Sequence, residues 1–309
     1  MSRLPGWVIL CLALLGLAAL ACVGVRPSRE LGPAGSIVVE RIELLGAVRS
    51  VSWYLPAGDA TALVVFEHGF LRRCENLRET TRRLMAVGLM GLCVDASMRG
   101  GNPALAEQLA RALVEDGLAP AGREVPRRLL VAGHSAGALF AVTLGATLDA
   151  IAPDRLAGAL LIDPVAGKGF EDGLRAISAA GRRPVLVLLA PPHRCNADSN
   201  ALPALRRVEQ TAREAGSSAF ELVLLGEGAT HADVEGEDTG GIAEWSCGRI
   251  RRDQTERLRA LASDWVRRVA AEATGGGPTD AARAPDARDE GMDVRPQPPN
   301  AYASMRRMP

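Results

Sequence analysis

Ser135 stands in Gly133-His134-Ser135-Ala136-Gly137, directly after the apolar run Leu129-Leu130-Val131-Ala132 and directly before a helix-forming stretch over 136–148. A Gly-x-Ser-x-Gly match alone carries little weight in a chain with 33 glycines, but a strand, a sharp turn and a helix are the setting in which such a serine is lifted to the carboxyl edge of a sheet as a nucleophile. The two glycines have a mechanical job there, because side chains at 133 and 137 would collide with the neighbouring backbone. The bland alternative is a serine that only caps the helix.

A serine hydroxyl attacks a carbonyl only when a base within hydrogen-bond reach takes its proton. The chain holds four histidines. His134 lies inside the glycine turn and is expected to point away from Ser135. His68, in Glu67-His68-Gly69-Phe70, ends an apolar run and fits a turn that binds an oxyanion. His193, in Pro191-Pro192-His193-Arg194, reads as a loop histidine. His231, in Gly228-Ala229-Thr230-His231-Ala232-Asp233, follows the last apolar run and precedes the last helical pattern, which is where a base would be delivered.

The base needs a carboxylate to hold its tautomer and to stabilise the imidazolium. Asp163 ends the run Ala159-Leu160-Leu161-Ile162, and a charge at the tip of an apolar strand is costly to bury unless paired. Asp163 can also cap the turn that Pro164 begins. The rival is Asp198, in the loop after the following strand. Asp233 and Glu235 lie too close to His231 in sequence to be the orienting acid, but can fix its loop. The order Ser135, Asp163, His231 makes one constellation for acyl transfer, with the backbone N–H groups of Phe70 and Ala136 as the expected oxyanion hole.

At these residues the chain resembles the α/β-hydrolase superfamily, in particular its branch of chlorophyllase-like and platelet-activating-factor-acetylhydrolase-like enzymes. The similar segments are Glu67-His68-Gly69-Phe70, Gly133-His134-Ser135-Ala136-Gly137, Leu161-Ile162-Asp163-Pro164-Val165 and Thr230-His231-Ala232-Asp233, spread over residues 60–240. The resemblance implies hydrolysis of a small apolar or lipid-like carboxylic ester without metal or organic cofactor. It also favours Asp163, because in that branch the acid follows the strand after the nucleophile's helix. Ala136 stands where chlorophyllases usually carry Arg, which speaks against chlorophyll as substrate. Cutinase-like polyester hydrolases share the His-Gly-Phe turn but keep their acid after the later strand, which would favour Asp198. An acyltransferase or peptidase on the same fold, and a ligand-binding protein that has kept the fold without the reaction, are the alternatives.

These residues must be held by a sheet. Short apolar runs at 36–44, 47–55, 62–67, 91–95, 128–132, 158–163, 184–189 and 220–225 alternate with amphipathic stretches at 77–87, 103–115, 136–148, 170–179, 200–215 and 253–273. This is the pattern of an α/β domain, a mostly parallel eight-stranded sheet with helices on both faces. Residues 36–273 are assigned to one catalytic domain, 23–35 to a linker, and 274–309, rich in Gly, Pro, Asp and Arg, to a disordered tail.

Lys plus Arg balance Asp plus Glu at 36 each, and Lys168 is the only lysine. With no basic stripe and 4% aromatic residues, nucleic-acid binding is excluded as an expectation. Residues 1–22 read as a signal peptide or lipoprotein signal, with Ala19-Leu20-Ala21-Cys22 offering Cys22 for lipidation. An extracytoplasmic, bacterial, monomeric protein, secreted, periplasmic or anchored through Cys22 or the N-terminal apolar segment, is the expectation. Cys74, Cys93, Cys195 and Cys247 then lie in an oxidising compartment. Cys195 with Cys247 is the favoured disulfide, Cys93 reads as a buried free thiol, and no zinc site is expected.

Overall fold

A computed structural model describes residues 28–32, 35–86 and 88–272. The expectations for the N-terminal targeting segment, for Cys22 and for the tail from 274 fall outside these residues.

The sheet has nine strands: β1 (Ser28–Gly32), β2 (Gly35–Leu44), β3 (Ala47–Leu55), β4 (Leu63–Glu67), β5 (Met90–Val94), β6 (Leu129–His134), β7 (Leu156–Ile162), β8 (Val185–Leu189) and β9 (Phe220–Leu224). Their spatial order is β1-β2-β3-β5-β4-β6-β7-β8-β9. The first three strands are antiparallel, β3 pairs antiparallel with β5, and everything from β5 to β9 is parallel. Eight strands fall where the apolar runs place them. The ninth, β1, corrects the linker assignment over part of 23–35, because the backbone of residues 28–32 pairs with 35–39 at the sheet edge.

Among the described residues the helices are α1 (Arg78–Met85), α2 (Pro103–Val114), α3 (Ala136–Ile151), α4 (Phe170–Ser178), α5 (Leu202–Glu214), α6 (Gly241–Cys247) and α7 (Arg252–Ala271), and all but α6 pack on the sheet or its covering layers. The central strands are apolar on both sides because both sides are covered. Leu63, Val65, Leu129, Val131, Leu161 and Val187 point to a core shared with α2, α3, α4 and α5. Their alternate neighbours Val64, Phe66, Leu130, Ala132, Leu160 and Leu188 pack with Leu84 of α1 and Leu258, Trp265 and Val269 of α7. Among the described residues no helix is long and apolar enough to cross a membrane.

Two disulfides tie loops to this frame. Cys195 and Cys247 are bridged, as the sequence favours, with Cα atoms 5.5 Å apart. Cys93 is not a free thiol: it is bridged to Cys74, Cα to Cα 5.8 Å. Burial of Cys93 on β5 was legible, but its partner lies in the single turn before α1, which only the packing of that turn on the sheet brings close.

Candidate active site

Parallel strands β4, β6, β7 and β8 all end at one edge, and the loops leaving them converge there. The chain passes from β6 into α3 at Ser135, whose φ of 57° and ψ of −122° lie where a residue with a Cβ is strained. The strain is held in place by hydrogen bonds. Ser135 N donates to Ile162 O at 3.1 Å, and Ser135 O accepts from Ala138 N and Val165 N, each at 3.1 Å. The glycines are needed as expected: a Cβ on Gly133 would lie 2.1 Å from Gly137 O, and one on Gly137 would lie 2.3 Å from Glu67 O.

Asp163 leaves β7 with φ 42°. Its Oδ2 is 2.5 Å from His231 Nδ1, and both side chains are buried. Oδ1 accepts from Ala190 N at 3.0 Å. A charged oxygen buried among such donors keeps its hydrogen-bonding capacity filled. Asp198 is exposed, with φ 54°, and makes no bond to His231; its N–H donates to His193 O at 2.9 Å. Of the two aspartates, Asp163 is the one hydrogen-bonded to His231.

His231 sits in a loop braced on three sides. Asp233 is fully buried and accepts from Thr230 N at 2.7 Å and Arg251 N at 2.9 Å, and burial raises its pKa. Glu235 holds Arg72 through Nε at 2.7 Å and through a second contact from Nη2. Buried Arg259 of α7 donates to Thr80 Oγ1 at 2.8 Å, and Thr80 Oγ1 donates to Val234 O at 2.5 Å. Asp233 and Glu235 thus fix the loop, as their sequence position suggests.

The buried ring of His134 lies 4.5 Å from that of His231, centroid to centroid, and burial drives its pKa well below the usual value. His68 is buried, shares a 2.9 Å hydrogen bond between its Nδ1 and Gly69 O, and is likewise lowered by desolvation. His193 serves its loop, its Nδ1 accepting from Cys195 N at 3.2 Å.

A cavity of about 530 Å³ opens over these groups, a size that suits a small organic molecule. Ser135 and His231 lie in its floor, Phe70 and Leu71 form one wall, and Ala243 and the Cys195–Cys247 bridge form the other. Gly69 brings the β4 turn against the nucleophile, since a Cβ there would be 3.1 Å from Ser135 Cβ. Neither Phe70 N nor Ala136 N has a protein acceptor among the described residues. The grouping His68, Cys74 and Asp95 resembles a ligand set only in position, because Cys74 is oxidised in its bridge and Asp95 Oδ1 accepts from Cys74 N at 2.8 Å.

Three features escaped the sequence. Helix α6 is seven residues long, too short for a periodic signal. Arg72 is a surface-type residue whose partner lies 163 positions away. Asn196, fully buried, donates to both oxygens of Asp163 from the loop after β8.

No family model matches the sequence, and no curated protein is similar to it. Solved structures are similar in fold. Dienelactone hydrolase from Anabaena variabilis superposes with a TM-score of 0.51 at 15% identity, over 77% of this chain and 96% of that one. Est1E from Butyrivibrio proteoclasticus does so with a TM-score of 0.52 at 13% identity, over 75% and 99%. A fungal esterase from Rhizomucor miehei gives 0.51 at 15% identity, over 84% and 88%. At such identities the likeness carries the architecture: the chain has the α/β-hydrolase fold.

Proposed function

We propose that the protein is a serine-dependent carboxylic ester hydrolase that forms an acyl-enzyme on Ser135. One observation carries this reading: His231 Nδ1 is bound at 2.5 Å to buried Asp163, in the floor of a cavity that also holds Ser135 on a strained turn. Asp163 fixes the tautomer, leaving His231 Nε2 as the acceptor for the Ser135 proton. Attack of Ser135 Oγ on the ester carbonyl gives a tetrahedral oxyanion, received by the unpaired N–H groups of Phe70 and Ala136. The proton on His231 then passes to the departing alcohol, and a water molecule repeats the sequence to free the acid. No step calls on a metal or cofactor. Phe70, Leu71, Ala232 and Ala243 around the cavity favour an apolar or lipid-like ester. That preference, and the chlorophyllase-like and acetylhydrolase-like resemblance of the quoted segments, agree.

The same reading places the protein outside the cytoplasm, exported or held at a membrane through Cys22 or the N-terminal apolar segment. Two disulfides in the chain support it, since such bonds persist in oxidising compartments.

The test is labelling and turnover. A fluorophosphonate should modify Ser135, and Ser135→Ala should lose p-nitrophenyl ester hydrolysis by about 10⁴-fold or more. Asp163→Asn should cost on the order of 10³-fold or more, and Asp198→Asn little. Unchanged turnover by Ser135→Ala would sink the proposal, and a greater loss from Asp198→Asn would move the acid.

A further inference from the structure

The acid of the triad is not held by its own strand alone. Asn196 is fully buried at the end of the single 3-10 turn Arg194–Asn196, and every polar atom of its amide is used. Its Oδ1 accepts from His193 N at 2.8 Å and Ser199 N at 2.9 Å. Its Nδ2 donates to Asp163 Oδ1 at 3.1 Å, to Asp163 Oδ2 at 3.3 Å and to Pro191 O at 3.0 Å. Oδ2 is the oxygen that binds His231. The residue before Asn196 is Cys195, bridged to Cys247 at the end of α6. The loop carrying this amide is therefore covalently fastened to the helix that walls the cavity.

From this geometry we infer that Asn196 is a positioning residue for the reaction: its amide orients the Asp163 carboxylate toward His231 and stabilises it as an anion. The inference rests on the proposed serine-hydrolase reading. A loop needing only an Asx-type cap would use Oδ1 and leave Nδ2 to solvent or backbone. Here Oδ1 is committed to the loop, and Nδ2 is shared between Pro191 O and both oxygens of the acid. Hydrogen bonds to a buried carboxylate are charge-assisted and favour its ionised form. That is the state Asp163 must keep while His231 is protonated. The other charged or titratable groups around the pair are His134 against the His231 ring, buried Asp233 in the His231 loop, and Arg72, Arg194 and Glu235 lining the cavity. None of these has a hydrogen bond to Asp163. Among the described residues Asn196 is the one side chain besides His231 that does.

The decisive variant is Asn196→Asp. It keeps the shape and the acceptor oxygen for His193 N and Ser199 N, but removes the donors to Asp163 and sets a second carboxylate against it. Two adjacent carboxylates and an imidazole hold an extra proton. The acid limb of the kcat profile should then move to higher pH, by about one unit or more. At neutral pH kcat per fluorophosphonate-titratable site should fall about tenfold to a hundredfold, with KM changed less than threefold, since the cavity walls are untouched. Asn196→Ala should lose thermal stability as well as kcat, because it also abandons the loop N–H groups. NMR titration of His231 gives a readout that needs no turnover: its transition should move upward in Asn196→Asp relative to the unmodified protein. A wild-type profile and His231 transition in Asn196→Asp would overturn the inference. So would a loss confined to stability in both variants, with kcat per titratable site unchanged. If the unmodified protein hydrolyses no ester, the serine-hydrolase reading fails, and the His231 titration still decides the role of Asn196.

Discussion

Single residues at the nucleophile turn separate folding from chemistry. Gly137 and Gly69 are both pressed against neighbours, but against different kinds. A Cβ on Gly137 would meet backbone, 2.3 Å from Glu67 O and 2.4 Å from His68 O, neither of which can rotate away. Gly137→Ala should therefore destabilise the protein by roughly 1–3 kcal/mol through forced backbone movement. A Cβ on Gly69 would instead sit 3.1 Å from Ser135 Cβ and 3.5 Å from Ser135 Oγ, a contact that the structure can absorb by a few tenths of an ångström. Small displacements of a reacting group are costly in rate and cheap in stability. Gly69→Ala should keep its melting temperature within a few degrees and lose about tenfold or more in kcat. Thermal denaturation and ester turnover on the two variants check this. A stability loss for Gly69→Ala matching that of Gly137→Ala would contradict the distinction.

At the level of elements, the Cys195–Cys247 bridge that ties the loop after β8 to helix α6 is more open to attack than Cys74–Cys93. Cys74 and Cys93 are 2% and 1% exposed, whereas Cys195 and Cys247 are half-buried at the cavity wall. Thiolate attack needs access to a sulfur. A mild reductant under native conditions should open Cys195–Cys247 first, read by alkylation and peptide mass spectrometry. Alkylation of Cys74 and Cys93 ahead of the other pair would refute the ranking. The bridge closes a separation of 52 residues, so its loss removes an unfolded-state constraint of about 4 kcal/mol on the chain-entropy estimate. What the sequence made legible at this scale follows from locality. Strands β2 to β9 and the helices with an apolar stripe are written in short-range periodicity, and the glycines around Ser135 announce a turn that only they allow. Asp163 and His231 could be ranked because the first ends, and the second follows, an apolar run that must stop at the same sheet edge. Asn196, Arg72 and the Cys74–Cys93 pairing are set by long-range packing, and α6 is too short for periodicity to reveal. The contact between His134 and His231 also needed the fold, because a neighbour of the nucleophile in sequence becomes a neighbour of the base only once the 228–235 loop closes over it.

For the molecule as a whole, the buried titratable groups set how stability follows pH. Glu67 is fully buried at the end of β4, its Oε1 accepting from Val94 N at 3.0 Å, and burial raises its pKa well above 4.5. In the unfolded chain the carboxyl releases its proton near 4.5. Above that pH the native state still binds a proton the unfolded chain has lost, so the contribution of Glu67 is complete below 4.5 and declines as pH rises, until the folded pKa is passed. The slope for one such group is about 1.4 kcal/mol per pH unit. His134 and His68 act in the opposite sense. Their folded pKa values lie below 6.5 through desolvation, so the unfolded chain takes up protons that the native state refuses as pH falls below 6.5. Above 4.5 the two effects oppose each other, since rising pH removes the Glu67 contribution and relieves the histidine penalty. Glu67→Gln preserves the oxygen that Val94 N uses and removes the proton. Urea unfolding as pH is raised from 4.5 should show Glu67→Gln gaining stability relative to the unmodified protein, the difference changing until the folded Glu67 carboxyl ionises. Parallel curves would mean that Glu67 is already ionised in the folded protein, and that the buried end of β4 carries a charge whose partner is yet to be found.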